Sequence, residues 1–240
     1  MINFYCIHKE DDEPSQTPLN DAVASGKQFG INVIPYAGVY SNIDNVIANE
    51  GLIVNPGGAH KINRRGKGVL GCFLSHYNLW KKCVKLNIPI GVLEYDAVII
   101  KPLPENILNQ FNDYLNLDYT RHTHLGLSSK GHEYKAQIEL EKNNIIEVKP
   151  LQEQTKSLKH HFKYINANHI KGAFGYIIKP SGAKKLIEAT KKYGILPADV
   201  QPNLLYCNMN YTTPSIVMLN PKGISNRFGG SHTNTGHLST

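Results

Sequence analysis

Apolar positions alternate with polar breaks in a strand-then-helix rhythm along most of the chain. Asn3 to His8 reads as a first strand, Asn20 to Phe29 as a helix stopped at Gly30, and Ile31 to Tyr36 as a second strand. Phe73, Tyr77, Trp80 and Val84 fall on one stripe at helical spacing, which predicts a helix over Gly71 to Lys85, broken by Asn87-Ile88-Pro89. Ile90 to Leu93 is a short, wholly apolar run, as expected of a strand covered on both faces.

Further along, Pro104 to Leu115 predicts a helix with a proline start. His124 to Ser128, Ile145 to Val148 and Gly172 to Ile178 predict strands. Ser181 to Tyr193 predicts a helix with Ser181 as N-cap and Gly194 as its stop, and Ile216 to Leu219 a last strand. Strands alternating with helices imply an α/β layered, single Rossmann-like domain over 1–222 with a mostly parallel central sheet. From Gly223 to Thr240 the chain is rich in Gly, Ser, Asn, Thr and His, which predicts a polar loop or tail.

The bulk properties narrow this picture. The 240 residues suffice for one α/β domain. With 41% hydrophobic and 19% charged residues the chain reads as globular. No apolar run approaches a membrane span, and the start Met1-Ile2-Asn3-Phe4 reads as a strand and not a leader, so the expected location is cytoplasmic. Cys6, Cys72, Cys83 and Cys207 are far apart, without a zinc-like spacing, and read as buried thiols. The net charge of +7 favours anionic partners such as a nucleotide diphosphate, an acidic glycan, a membrane surface or nucleic acid. Lys61, Arg64, Arg65 and Lys67 form the densest basic run, and Gly66-Lys67-Gly68 is a candidate phosphate loop.

The chemistry concentrates where Ile90-Gly91-Val92-Leu93 runs into Glu94-Tyr95-Asp96. The carboxyl ends of parallel strands are where ligands sit. Carboxylates at i and i+2 share a side if the chain stays extended. Such a pair suits Mg²⁺ or Mn²⁺, whose shell diphosphate oxygens and water complete.

Two blocks of sequence carry a family resemblance. Gly71-Cys72-Phe73-Leu74-Ser75-His76-Tyr77-Asn78-Leu79-Trp80, followed by Leu93-Glu94-Tyr95-Asp96, resembles the G-C-x-x-S-H-x-x-x-W helix and acidic triplet of glycosyltransferase family 25. Gly172 to Ile178, Ser181 to Leu186 and Pro197-Ala198-Asp199 resemble its second block. The likeness spans roughly residues 68 to 200. It departs at Tyr95, where the family has Asp, and at the acidic Lys9 to Pro14 segment, where the family is basic.

The family includes bacterial lipooligosaccharide galactosyltransferases and procollagen galactosyltransferases. The resemblance implies a GT-A type fold, a UDP-sugar or similar donor, a divalent cation and inversion at the anomeric carbon. On this likeness Asp96 is the metal ligand of a DXD-like motif. Glu94 contacts the metal through water, or the ribose hydroxyls, with Tyr95 between them. Asp199 is either the general base for the acceptor hydroxyl or an N-cap for the segment from Val200. His76 and Ser75 either line the site or hold the acidic strand, whereas Tyr77 and Trp80 read as core. His232 or His237 is a third metal ligand or part of a free tail, and Arg227 is a partner for the diphosphate.

The expected activity is hexosyl transfer to a glycan hydroxyl. A hydroxymethylated base of viral DNA is the alternative acceptor, and an inactive sugar-nucleotide-binding module the third reading. Donor sugar, choice of metal and oligomeric state are not legible in the sequence.

Overall fold

The computed structural model describes residues 2–56, 66–118, 145–152, 168–170 and 172–220. In chain order the elements are β1 (Asn3–His8), α1 (Glu13–Gln28), β2 (Asn32–Ala37), α2 (Ile43–Asn49), α3 (Lys67–Leu86), β3 (Ile90–Glu94), β4 (Ala97–Ile99), a single 3-10 turn (Ile107–Asn109), β5 (Tyr114–Asn116), β6 (Glu147–Pro150), β7 (Gly175–Ile178), α4 (Pro180–Tyr193), β8 (Met209–Thr213) and β9 (Val217–Leu219).

Seven strands form one sheet in the order β2-β1-β3-β7-β5-β8-β6, and β4 pairs with β9 in a small second sheet. The α/β class agrees with the sequence, but the sheet is mixed. β1–β2, β1–β3 and β5–β8 are parallel, whereas β3–β7, β5–β7 and β6–β8 are antiparallel. Short apolar runs look alike whichever way their neighbours run, so the direction of β7 had no sequence signal. Proline occurs at the sheet's two edges, Pro35 in β2 and Pro150 in β6, where a missing N–H breaks no inner ladder.

Each face of the sheet is covered. Tyr5, Ile7, Ile90, Val92, Tyr176 and Ile178 point to the side of α3 and α4, where Phe73, Tyr77, Trp80 and Leu186 pack. Phe4, Cys6, Leu93, Leu115 and Ile177 point the other way, onto Leu19 and Ala22 of α1 and Val217 of β9. Burying side chains of this size stabilises by about 2–3 kcal/mol each, before the entropy of ordering them. Glycine is required at two positions in the sheet, one beneath the ring of its neighbour on β1 and one facing β9. A Cβ on Gly91 would lie 2.3 Å from the Phe4 ring, and one on Gly175 2.7 Å from Val217.

Several local expectations are corrected. The helix expected over Pro104 to Leu115 is only the 3-10 turn. Tyr114, Leu115 and Asn116 are instead drawn into the sheet between β7 and β8, where all three are buried. Ser181 is not an N-cap: the N-cap position is Lys179, with Pro180 starting the helix. The Ser181 hydroxyl instead donates to Asp113 Oδ1 at 2.8 Å. Helix α1 starts before Asn20, because Pro14 lies in its first turn, where no N–H is needed. The expected His124 to Ser128 strand and the 223–240 tail lie outside the described residues.

Candidate functional site

At one edge of the sheet, β1, β2, β3, β5 and β8 all end at their carboxyl termini, and β7 begins. This edge carries the acidic stretch. Strand β3 ends at Glu94, and its N–H is held by the Phe174 carbonyl at 2.9 Å. The chain then turns at Tyr95 and Asp96 and enters β4. The extended run assumed from the Glu-x-Asp spacing is therefore absent. A turn, tied by Tyr95 N–H to the Ile7 carbonyl at 3.0 Å and by Asn220 N–H to the Asp96 carbonyl at 2.6 Å, separates the two carboxylates. Asp96 is buried and Glu94 half-buried, and both charges act on the same neighbours. They reinforce burial in raising the pKa of the Cys6 thiol and of the Tyr95 phenol.

Helix α3 reaches this edge because its first half runs against the loop after β2. At Gly71 a Cβ would lie 2.3 Å from the Val39 carbonyl oxygen. One turn on, Ser75 Oγ accepts the Val39 N–H at 2.8 Å and donates to the Gly71 carbonyl at 2.7 Å. Glycine and serine in the Gly71-Cys72-x-x-Ser75-His76 pattern thus set how closely the helix lies. That contact places Cys72 and His76, one turn apart, beside Glu94. The Cys72 thiol is 3.7 Å from Glu94 Oε1, and His76 Nε2 is 3.5 Å from the same oxygen. The second distance is within ion-pair range but too long for a full hydrogen bond, and the buried Nε2 makes no hydrogen bond to any described residue.

On the other side of the ring, His76 Nδ1 lies 2.9 Å from the Tyr176 hydroxyl, which also accepts the Trp80 indole N–H at 3.0 Å. Tyr176 sits on β7 opposite Val92. Of the two readings left open for His76 and Ser75, Ser75 holds the helix to the loop, and His76 faces the acidic strand end. Trp80 and Tyr77 are core, as expected, and Trp80 is also a hydrogen-bond donor.

Asp199 lies in the turn after Pro197, where Val200 and Gln201 both donate to the Pro197 carbonyl. It is half-buried, and its charge reaches Cys72. The Cys72 thiol is held protonated by burial first, then by Glu94, Asp199 and Asp96. These four side chains, from three separate segments, therefore share one neighbourhood. Tyr40, in the loop after β2, borders it and is 42% exposed. The reading of all four cysteines as buried thiols needs correction at Cys72, which is half-buried and faces a carboxylate. Its signal in the sequence is the four-residue spacing to His76, which puts both on one helix face.

Other candidates lie elsewhere. Lys67 opens α3 and pairs with Asp44, so the Gly66-Lys67-Gly68 segment is a helix start. Lys61, Arg64, Arg65, Arg227, His232 and His237 lie outside the described residues. A shallow depression of about 480 Å³, lined by Ile2, Phe29, Ile31, Leu103 and Asn106, is at the opposite, amino edge of β1 and β2 and includes none of the carboxylates.

The sequence of residues 32–201 matches the family model for glycosyltransferase family 25 (LPS biosynthesis protein). That is well over half of the chain. The protein belongs to glycosyltransferase family 25. Among its relatives is the lipooligosaccharide biosynthesis protein lex-1 of Haemophilus influenzae, 29% identical over 136 residues. The match covers 55% of this chain and 39% of that relative, so the chain spans well under two thirds of the curated protein it matches. The matched region of this family 25 chain contains Cys72, His76, Glu94, Asp96, Tyr176 and Asp199. No helix among the described residues is long and apolar enough to cross a membrane.

Proposed function

We propose that the protein transfers a hexose from a nucleoside-diphosphate sugar to a hydroxyl of a glycan acceptor, with inversion, on a GT-A type fold. One observation carries this reading: Glu94 ends a central strand at its carboxyl edge, Asp96 lies in the turn that follows, and Asp199, from a distant segment, shares their neighbourhood. Family membership and the lipooligosaccharide role named for the relative support the same chemistry.

The donor set fits a hard divalent cation, because carboxylate oxygens at a strand end leave the remaining positions to diphosphate and water. Asp96 would hold Mn²⁺ or Mg²⁺, and Glu94 would reach it through water or bind the donor's ribose hydroxyls. The cation supplies charge neutralisation of the departing diphosphate. Asp199 accepts the proton of the acceptor hydroxyl as that oxygen attacks the anomeric carbon. Tyr40 offers an exposed aromatic face at the rim for a base or sugar ring.

The test is nucleotide release from a panel of UDP-, GDP- and CMP-sugars, with and without Mn²⁺ and with glycan or hydroxymethylated DNA as acceptor. Metal-dependent transfer from one donor to a glycan, lost in Asp96→Asn, is the expected result. Transfer to DNA would replace the acceptor assignment. A folded protein that neither binds nor turns over any donor would overturn the reading.

A further inference from the structure

We propose that Cys72, His76 and Glu94 form a three-ligand site for a thiophilic divalent cation of the Zn²⁺ class, separate from the hard-cation position at Asp96. The three ligand atoms, the Cys72 Sγ, a ring nitrogen of His76 and a carboxylate oxygen of Glu94, all lie within 4.8 Å of one another. Two of the three separations fit a tetrahedral metal closely. With Zn–S about 2.3 Å and Zn–N or Zn–O about 2.0–2.1 Å, tetrahedral angles put S and O about 3.5 Å apart and N and O about 3.3 Å apart. The observed separations are 3.7 Å for Cys72 to Glu94 and 3.5 Å for His76 to Glu94. The third separation, Cys72 to His76, is at most 4.8 Å, and the single side-chain torsion of Cys72 can adjust it.

A second observation points to a ligand. His76 is 1% exposed, and its Nε2, aimed at Glu94, makes no hydrogen bond to any described residue. A buried imidazole nitrogen without a hydrogen-bond partner is unfavourable, and coordination would relieve that cost. The other face of the ring is arranged as metal-binding histidines require. Nδ1 is 2.9 Å from the Tyr176 hydroxyl, an outer partner that holds the ring with Nε2 aimed at Glu94; in the neutral ring that coordinates, Nδ1–H donates to that hydroxyl. Tyr176 is itself fixed by Trp80 and by stacking on Tyr114 with ring centroids 4.7 Å apart.

The donor chemistry also selects the cation. One sulfur and one imidazole suit Zn²⁺ and Co²⁺ and disfavour Mg²⁺ and Mn²⁺, which take oxygen. On binding, the Cys72 S–H bond breaks, the proton leaves to solvent, and the sulfur lone pair forms the metal bond. His76 coordinates as the neutral ring. Glu94 and Cys72 are both half-buried, which leaves a route in for the ion. The bound cation would hold the side chain of Glu94 by one oxygen, and so fix the strand end on which the proposed donor site is built.

The experiment needs no transfer activity, so its failure is distinguishable from failure of the transferase reading. The full chain, reduced and stripped with a chelator, is titrated with Co²⁺ and then Zn²⁺. Expected are one equivalent of tetrahedral Co²⁺ with a thiolate-to-cobalt charge-transfer band, displaced by Zn²⁺ but not by Mg²⁺. Cys72→Ser abolishes the band and weakens Zn²⁺ binding more than about 100-fold, and Tyr176→Phe weakens it about 10- to 100-fold. On the parent protein, Zn²⁺ protects the Cys72 peptide from alkylation, a readout that needs no variant to fold. Absence of the band at one equivalent, its survival in folded Cys72→Ser, or alkylation of Cys72 unaffected by Zn²⁺ would each overturn the proposal.

Discussion

The Trp80 indole N–H donates to the Tyr176 hydroxyl at 3.0 Å, and this bond joins the middle of α3 to β7 beneath the acidic strand end. Both side chains are essentially fully buried, so neither polar group has water to fall back on. Tyr176→Phe leaves the Trp80 N–H and His76 Nδ1 without their shared oxygen. The expected cost is about 2–3 kcal/mol in urea unfolding. Adding Trp80→Phe should then cost at least about 1 kcal/mol less than it does in the parent, because the bond is already gone. Strictly additive losses would mean that the two groups are neighbours without coupling.

Asp113 joins β5 to α4, and the sign of its effect on stability is fixed. Its carboxylate, 3% exposed, accepts Lys185 Nζ at 2.6 Å, Asn208 N–H at 2.9 Å and the Ser181 hydroxyl at 2.8 Å. Burial alone would raise its pKa, but the Lys185, Asn208 and Ser181 contacts outweigh it and hold the carboxyl below its ordinary value of 3.8. The folded state therefore binds fewer protons than the unfolded one in that window. The stabilisation is fully present above the unfolded pKa and is lost as pH falls through the folded one. Urea midpoints for the parent should drop between pH 6 and pH 3 by more than those of Asp113→Asn. Equal drops would show that the carboxylate contributes nothing specific.

What the sequence made legible was the part written in local pattern. The stripe of Phe73, Tyr77 and Trp80 located α3, the apolar run from Ile90 located β3, and Gly194 (φ 88°) ends α4 as predicted. The Glu94–Asp96 stretch stood out because carboxylates follow a buried strand. Contacts between distant segments were not legible. Nothing near Asn116 signals that residues 114–116 would be drawn between β7 and β8, and nothing near Tyr176 signals that its hydroxyl meets His76, 100 residues earlier. Cys72 was read by its distance from other cysteines, when its partners were a histidine one turn away and a carboxylate on the next strand. Alternatives for Ser75 and His76 were left open by the sequence because a helix position does not say which neighbour a side chain meets.

If Asp199 accepts the acceptor's proton, its removal must separate chemistry from binding. Asp199→Asn keeps the shape and most hydrogen bonds of the turn after Pro197, whose ties run through backbone groups. Transfer should fall by about 10²- to 10⁴-fold, the usual contribution of a positioned base. Affinity for the donor nucleotide in Mn²⁺, read by calorimetry, should change little. Loss of nucleotide affinity with turnover otherwise intact would place Asp199 on the donor side instead.

The closest test of how α3 is positioned compares two glycines in its first half. Gly71 faces the Val39 carbonyl, where a Cβ would sit 2.3 Å from the oxygen, a contact that backbone must move to relieve. Gly68 lies one turn earlier in the same helix, with nothing within 4 Å of an added Cβ. Gly68→Ala should therefore stabilise by about 0.4–1 kcal/mol, through helix propensity and a less free unfolded chain. Gly71→Ala should destabilise by about 1–3 kcal/mol despite the same propensity gain, because the helix must lift from the loop. Lifting it also draws Ser75 Oγ from the Val39 N–H and carries Cys72 and His76 away from Glu94. Gly71→Ala should then lose Zn²⁺ binding along with stability, while Gly68→Ala keeps both. Equal stability in the two variants would show that the approach at Gly71 is not what seats the helix.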